Sequence, residues 1–443
     1  MTKDMTNGNP MKLILGFALP MLLGYLFQQC YNLVDTMIVG RYLGVDALAA
    51  VGSTGSINFL VIGFCMGVCA GFTIPVSQKF GAGDYVALRK YVANCVYLGA
   101  GFAAIISFLT VTFCRDILEL MNTPADIIEG AYAYIVVIFI GIPLAFLYNI
   151  LAGIIRALGD SRTPVIFLLI SSVINICLDL VFIINFNMGV AGAAIATLIS
   201  QAVSAVLTLA CLIRTNESCK LYLKKITIKK DHLARIMKIG IPIGIQSATY
   251  NLANLLIQSS INDFGTDTIA AWGAYWKMDV FWMVMSAFSI ALTTFVGQNY
   301  GASLYDRIRK GVRSTLWMAH LTSIVICGAY ILFAEFLFSL FSSDAAVIDT
   351  GVRMLYFLMP TYITYVCTEV LSGALRAMGD TFMPMLLSCG GVCAIRVIWT
   401  GFIYPMNPTI EMLELNYPVS WIITSVLFVI YYLWKRKKLM PDL

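Results

Sequence analysis

The sequence predicts an all-α membrane protein: twelve transmembrane helices in two pseudo-symmetric six-helix bundles that enter the membrane in the same sense. Three observations carry this. The 443 residues are 60% hydrophobic and only 12% charged, with mean hydropathy +0.84, whereas a water-facing surface needs far more polar cover. The apolar runs have the length of a bilayer crossing. The second half of the chain also repeats the first at nearly constant spacing.

A hydrocarbon core of about 30 Å takes roughly 20 apolar residues per helix. Such runs fall at 13–38, 50–76, 92–114, 130–155, 164–184, 190–213, 239–262, 269–297, 315–337, 350–374, 383–404 and 418–434. Barrel strands would be about ten residues long and alternate in polarity, so these runs are helices. The first continues past Gln28 and Gln29 to about Val39 with no small-x-small cleavage site, and is expected to be a span, not a cleaved signal. Most of the twelve cysteines, including Cys30, Cys65, Cys69, Cys177, Cys327, Cys389 and Cys393, fall inside spans with no CxxC pair. They read as small apolar helix residues, and no metal site is expected.

Basic residues set the orientation. With the N-terminus inside, 24 of the 29 Lys and Arg lie on the cytoplasmic side, eight of them between Arg214 and Lys238. Only Arg41, Arg115 and Arg353 lie outside, and Lys277 and Arg396 fall within spans. Both termini are therefore expected in the cytoplasm, and the net charge of +5 reflects topology and not a nucleic-acid partner. The basic connector is read as solvated, with contact to anionic lipid headgroups as the alternative. A cysteine placed at Lys225, in a background without other reactive cysteines, should react with an impermeant label only after permeabilisation. Labelling of intact cells would reverse the topology.

The repeat fixes the organisation. Gln78, Gly81, Ala82, Tyr85, Arg89 and Lys90 recur 220 residues later as Gln298, Gly301, Ala302, Tyr305, Arg309 and Lys310. RALGDSRTP at 156–164 recurs as RAMGDTFMP at 376–384. Gly44, Asp46, Ala49, Ala50 and Gly52 meet Gly265, Asp267, Ala270, Ala271 and Gly273, and Pro20 meets Pro242. Lobes at 1–213 and 239–443 thus flank a polar connector at 214–238. Six spans each make the lobes parallel repeats about an axis along the membrane normal, an architecture suited to alternating access. The RALGD and RAMGD loops themselves read as structural: a helix-ending Gly, an Asp, then a Pro opening the next helix, with Arg156 and Arg376 at helix C-termini.

Ionisable groups inside spans are costly and mark function. Asp35 lies near the outer end of span one, Tyr134 near the outer start of span four, Asn175 and Asp179 on span five, and Thr197 on span six. Asn175 and Asp179 are four apart, hence on one helix face with about 6 Å of rise between them. All five count to the outer half of the membrane from four helices of one bundle. Two carboxylates with amide, hydroxyl and phenol oxygens suit Na⁺; alternatively the carboxylates hold a proton between them. The second half does not copy this set, since Ile257, Ile395 and Trp399 stand at the positions of Asp35, Asn175 and Asp179. It carries instead Lys277 and Asp279 on span eight, Glu369 on span ten and Arg396 on span eleven. These either pair internally or line a substrate cavity.

The string PMLLGYLFQQCYNLVDTMIVGRYLGVDALAAVG at 20–52, the loop QKFGAGD, the doubled RALGD and RAMGD, and NICLDL with GVAGAAIAT after it resemble the multidrug and toxic compound extrusion (MATE) family over essentially the whole chain. The resemblance implies two six-helix lobes forming a V, and export of drugs in antiport with Na⁺ or H⁺. It implies a cation site at Asp35, Tyr134, Asn175, Asp179 and Thr197. It also implies a span-one proline, here Pro20, that lets the helix bend. No cofactor is expected beyond the coupling ion. The substrate is a small amphipathic molecule, cationic in the main, although Lys277 and Arg396 sit awkwardly with a purely cationic one. The protein is expected to work as a monomer. The alternative within the same superfamily is a lipid or lipid-linked oligosaccharide flippase. A channel is disfavoured by the absence of a filter loop. An enzyme is disfavoured because His232 and His320 lie in the connector and in span nine, with no nucleophile–base spacing.

Overall fold

The computed structural model describes residues 2–121, 123–214 and 228–440, without the side chains of Val45 and Leu48. The middle of the expected connector, with Lys220, Lys224 and Lys225, lies outside the described residues. The described chain is helical and contains no strand. Apolar side chains face outward along it: Phe108 is 70% and Leu332 81% exposed, tolerable only where lipid covers them. Ten helices among the described residues are long and apolar enough to cross a membrane, and eleven with the bent pair Ile128–Ile140 and Ile142–Ala157. The remaining segment is the seventh, Lys230–Ile261. Its 32 residues extend about 48 Å, but Gln246, Thr249, Asn251, Asn254 and Gln258 dilute its apolar character.

The sequence reads each span as one run, but several are broken. The first, Pro10–Leu43, is a continuous helix with Pro20 inside it, and the seventh likewise holds Pro242. Span two comprises Val45–Ser53, Gly55–Phe72 and Ile74–Gly81. Span four bends by 44° at Gly141. Pro75 and Pro143 stand in the first turns after these breaks, where the missing N–H costs nothing. Span eight parts at Asp279 between Thr266–Met278 and Phe281–Gly301. Span ten passes through a 3₁₀ stretch at Met359–Thr364, which opens beside Pro360. Spans five and eleven both widen into π-helical turns, at Val181–Asn185 and at Cys389–Ala394 and Trp399–Ile403.

Two compact units emerge. The first gathers residues 1–7, 16–244 and 297–303, and the second 8–15, 245–296 and 304–443. The core of the first centres on Phe72, Phe102 and Phe146, whose ring centroids stand 5.8–6.4 Å apart. Four of the chain's seven tryptophans, Trp272, Trp276, Trp282 and Trp421, interlock with Tyr362, Tyr365 and Tyr417 in the second.

The repeated loop strings acquire a physical reason in the first unit. A Cβ on Gly81 would lie 1.8 Å from the Gln298 carbonyl oxygen, and one on Gly301 would lie 1.8 Å from that of Gln78. The two copies of the motif thus pack reciprocally, glycine against glutamine backbone. The N-terminal arm is tied to the same place: Lys3 N–H donates to Leu158 O (2.9 Å), Met5 N–H to Gln298 Oε1 (2.8 Å), and Gln298 Nε2 to Ala157 O (3.0 Å). Gly159 and Gly379 end their helices at φ 90° and 95°, the left-handed closure that glycine permits. Asp160 then caps span five through Arg162 and Thr163 N–H, at 2.9 and 3.1 Å. Asp84 caps span three: the Ala87 N–H, and then Lys79, hold its carboxyl below the usual carboxylate range.

Candidate functional site

The five polar residues of the first half converge, all within the first unit. Asp35 projects from span one, and Asn175 and Asp179 share one face of span five just before its π-helical turn. Such turns widen the backbone and recur at functional sites. Asn175 and Asp179 are fully buried. The carboxyls of Asp35 and Asp179 are within hydrogen-bonding reach of each other. Tyr134 lies within electrostatic reach of both. Asn175 Nδ2 donates to Thr197 Oγ1 (3.3 Å), and Thr197 Oγ1 donates to Ala193 O (3.1 Å). Ile38, Val39, Ile183 and Ala193, with Tyr134 against them, form an apolar wall beside the site.

The oxygens left over define the chemistry. Among the described residues no hydrogen-bond donor serves Asp35 Oδ1, either oxygen of Asp179, or Asn175 Oδ1. Buried oxygens without donors are expensive. Two carboxylates side by side away from water also repel each other. A bound cation or a shared proton relieves both costs at once. Sequence reasoning missed Tyr31, which lies within electrostatic reach of both carboxylates and close to Thr197. It stands one helical turn before Asp35, so the i, i+4 relation on span one was the signal available.

The four charged residues of the second half do not gather. Lys277, in the last turn of Thr266–Met278, is exposed, while Asp279, in the extended break after it, is buried. Asp279 Oδ2 accepts from Tyr362 OH (2.6 Å), which in turn accepts from Tyr275 OH (2.6 Å), and its Oδ1 accepts the Phe281 N–H (3.0 Å). It therefore stitches the break in span eight. Glu369 accepts from Tyr365 OH (3.0 Å) and pairs with Arg376 at 3.7 Å, so Arg376 adds an ion pair to its place at a helix end. Arg396 donates to Asn254 Oδ1 (2.7 Å). None of the four forms an ion pair with another.

The MatE family model matches residues 20–181 and 242–400, one segment in each repeat. The probable multidrug resistance protein YoeA of Bacillus subtilis is 28% identical over 96% of this chain and 94% of its own length. The multidrug export protein MepA of Staphylococcus aureus is 23% identical over 85% of this chain and 84% of its own. Among solved structures, a MOP superfamily transporter from Pyrococcus furiosus superposes with TM-score 0.91 at 19% identity, covering 99% of each chain. A MATE structure described as the bent conformation superposes with TM-score 0.90 at 20% identity over 100% of this chain and 99% of its own. One described as the straight conformation gives TM-score 0.90 at 20% identity over 100% of each. These structural likenesses concern the twelve-span, two-lobe fold.

Proposed function

The chain belongs to the MatE family of multi-pass membrane transporters, and from that premise we propose that it exports drugs and other amphipathic, mainly cationic organic compounds in antiport with H⁺ or Na⁺ by alternating access, with both termini cytoplasmic. One observation carries the coupling ion: the buried oxygens of Asp35, Asp179 and Asn175 that no donor among the described residues serves. The export direction and the breadth of substrate draw support from the relatives named as multidrug resistance and export proteins. The test is reconstitution in liposomes with a fluorescent cationic dye, imposing a proton gradient and a sodium gradient separately. Dye movement driven by one of them is the expected result. Dye movement indifferent to both gradients would remove the antiport reading.

Pro20 is the proposed link between ion and substrate. It shares one helix with Tyr31 and Asp35, and it removes a backbone hydrogen bond so that the helix can bend there. A ligand moves a two-state equilibrium only through its different affinity for the two states. Binding at Asp35 would act on the bend in this way. Pro20→Ala should therefore reduce dye efflux severalfold while leaving cation affinity nearly unchanged, with Pro242→Ala as the comparison. Equal, small losses of efflux in both variants would leave Pro20 a packing residue.

A further inference from the structure

A second charged centre lies in the spans that repeat those of the cation site. At the repeat spacing, spans seven, eleven and twelve correspond to spans one, five and six, and Tyr417 stands where Thr197 stands in the first half. Here the buried charge is positive. Arg396, on the short helical stretch between two π-helical turns, is only 3% exposed. Its Nη1 donates to Asn254 Oδ1 at 2.7 Å, and its Cζ lies 4.4 Å from the centroid of the Tyr417 ring. Among the described residues its Nε–H has no acceptor. No carboxylate among the described residues is within ion-pair distance: Asp279 is held by Tyr362, Glu369 by Arg376, and the buried Glu414 is out of range.

A buried guanidinium normally finds a carboxylate, because an unpaired charge out of water is costly and a neutral amide with one aromatic face offsets only part of that cost. Inside a membrane protein, such a group marks a ligand path by default. The planar fork that Arg offers suits a carboxylate, sulfonate or phosphate, and its charge suits a halide.

We propose that Arg396, with the Asn254 amide and the Tyr417 ring, is a receptor for an anionic group inside the second unit, a centre of opposite sign to the acidic site of the first. The group is either a small inorganic anion or the acidic moiety of an aromatic organic solute, matched to the ring-rich surroundings of Tyr417, Trp272 and Trp276. This goes beyond the antiport reading and does not depend on it.

The experiment is equilibrium binding to the purified full chain in detergent, in chloride-free buffer and with no ion gradient. The probes are 2-naphthoate, its uncharged isostere 2-naphthamide, and chloride. The wild type should bind at least one of the two anions, and the naphthoate about tenfold or more above the amide where it is the ligand, the size of a charge-assisted hydrogen bond. Arg396→Gln should abolish that binding. Asn254→Asp should abolish it too, by placing a permanent carboxylate beside an intact Arg396, so the test survives if the first variant does not fold. Displacement of naphthoate by chloride identifies an inorganic anion. Naphthoate binding indifferent to chloride identifies an organic acid. Anion binding unchanged in both variants, or absent from the folded wild type, overturns the proposal. Loss of exchange in Asp35→Asn would bear only on the antiport reading, since no gradient is used here.

Discussion

Asp35→Asn and Asp179→Asn should each reduce gradient-driven dye efflux by on the order of a hundredfold, the effect of removing one charged hydrogen-bonding group of about 3 kcal/mol from a dry site. Asparagine keeps the shape of the side chain, so insertion and folding should survive. The amide cannot carry the charge that a cation or shared proton answers, and its NH₂ gives the neighbouring carboxylate a donor it now lacks. Asp279→Asn is the informative comparison. That carboxylate already has a phenol and a backbone N–H, and the amide oxygen can keep one of them, so exchange should fall severalfold at most. Efflux in liposomes, normalised to the amount of folded protein, is the measurement. Wild-type transport in both first-unit variants would remove the acidic pair from the coupling mechanism.

Gly81→Ala should strongly destabilise the protein, and Gly301→Ala equally. The added carbon would sit 1.8 Å from a backbone carbonyl oxygen, well inside contact distance, and the obstacle is main chain that cannot swing aside. Overpacking of this kind costs about 3 kcal/mol or more. Gly101→Ala is the control: its position in the helix Tyr85–Thr112 has nothing within 4 Å of the new carbon, and alanine favours a helix over glycine by about 1 kcal/mol. Thermal unfolding in detergent should place Gly81→Ala far below the wild type and Gly101→Ala at or above it. Equal midpoints for the two would mean that the paired loops do not hold the first unit together.

The one-dimensional pattern determined the class of fold, because a bilayer demands long apolar helices whatever else the chain does. It determined the repeat through strings such as RALGD and RAMGD, and it brought out Asn175 and Asp179 as a pair because four-residue spacing puts them on one helix face. Only the tertiary structure decided which partners the isolated charges take. Asp279 meets Tyr362, Glu369 meets Arg376, and Arg396 meets Asn254 and Tyr417. Apart from Glu369 and Arg376, each pair joins residues from different spans, and periodicity within one helix says nothing about which faces of distant helices meet. The break at Asp279 and the reciprocal glycine contacts depend on the same long-range packing. Tyr31 lay between these cases: its spacing from Asp35 was legible, but its nearness to Asp179 on span five depends on which helices pack together.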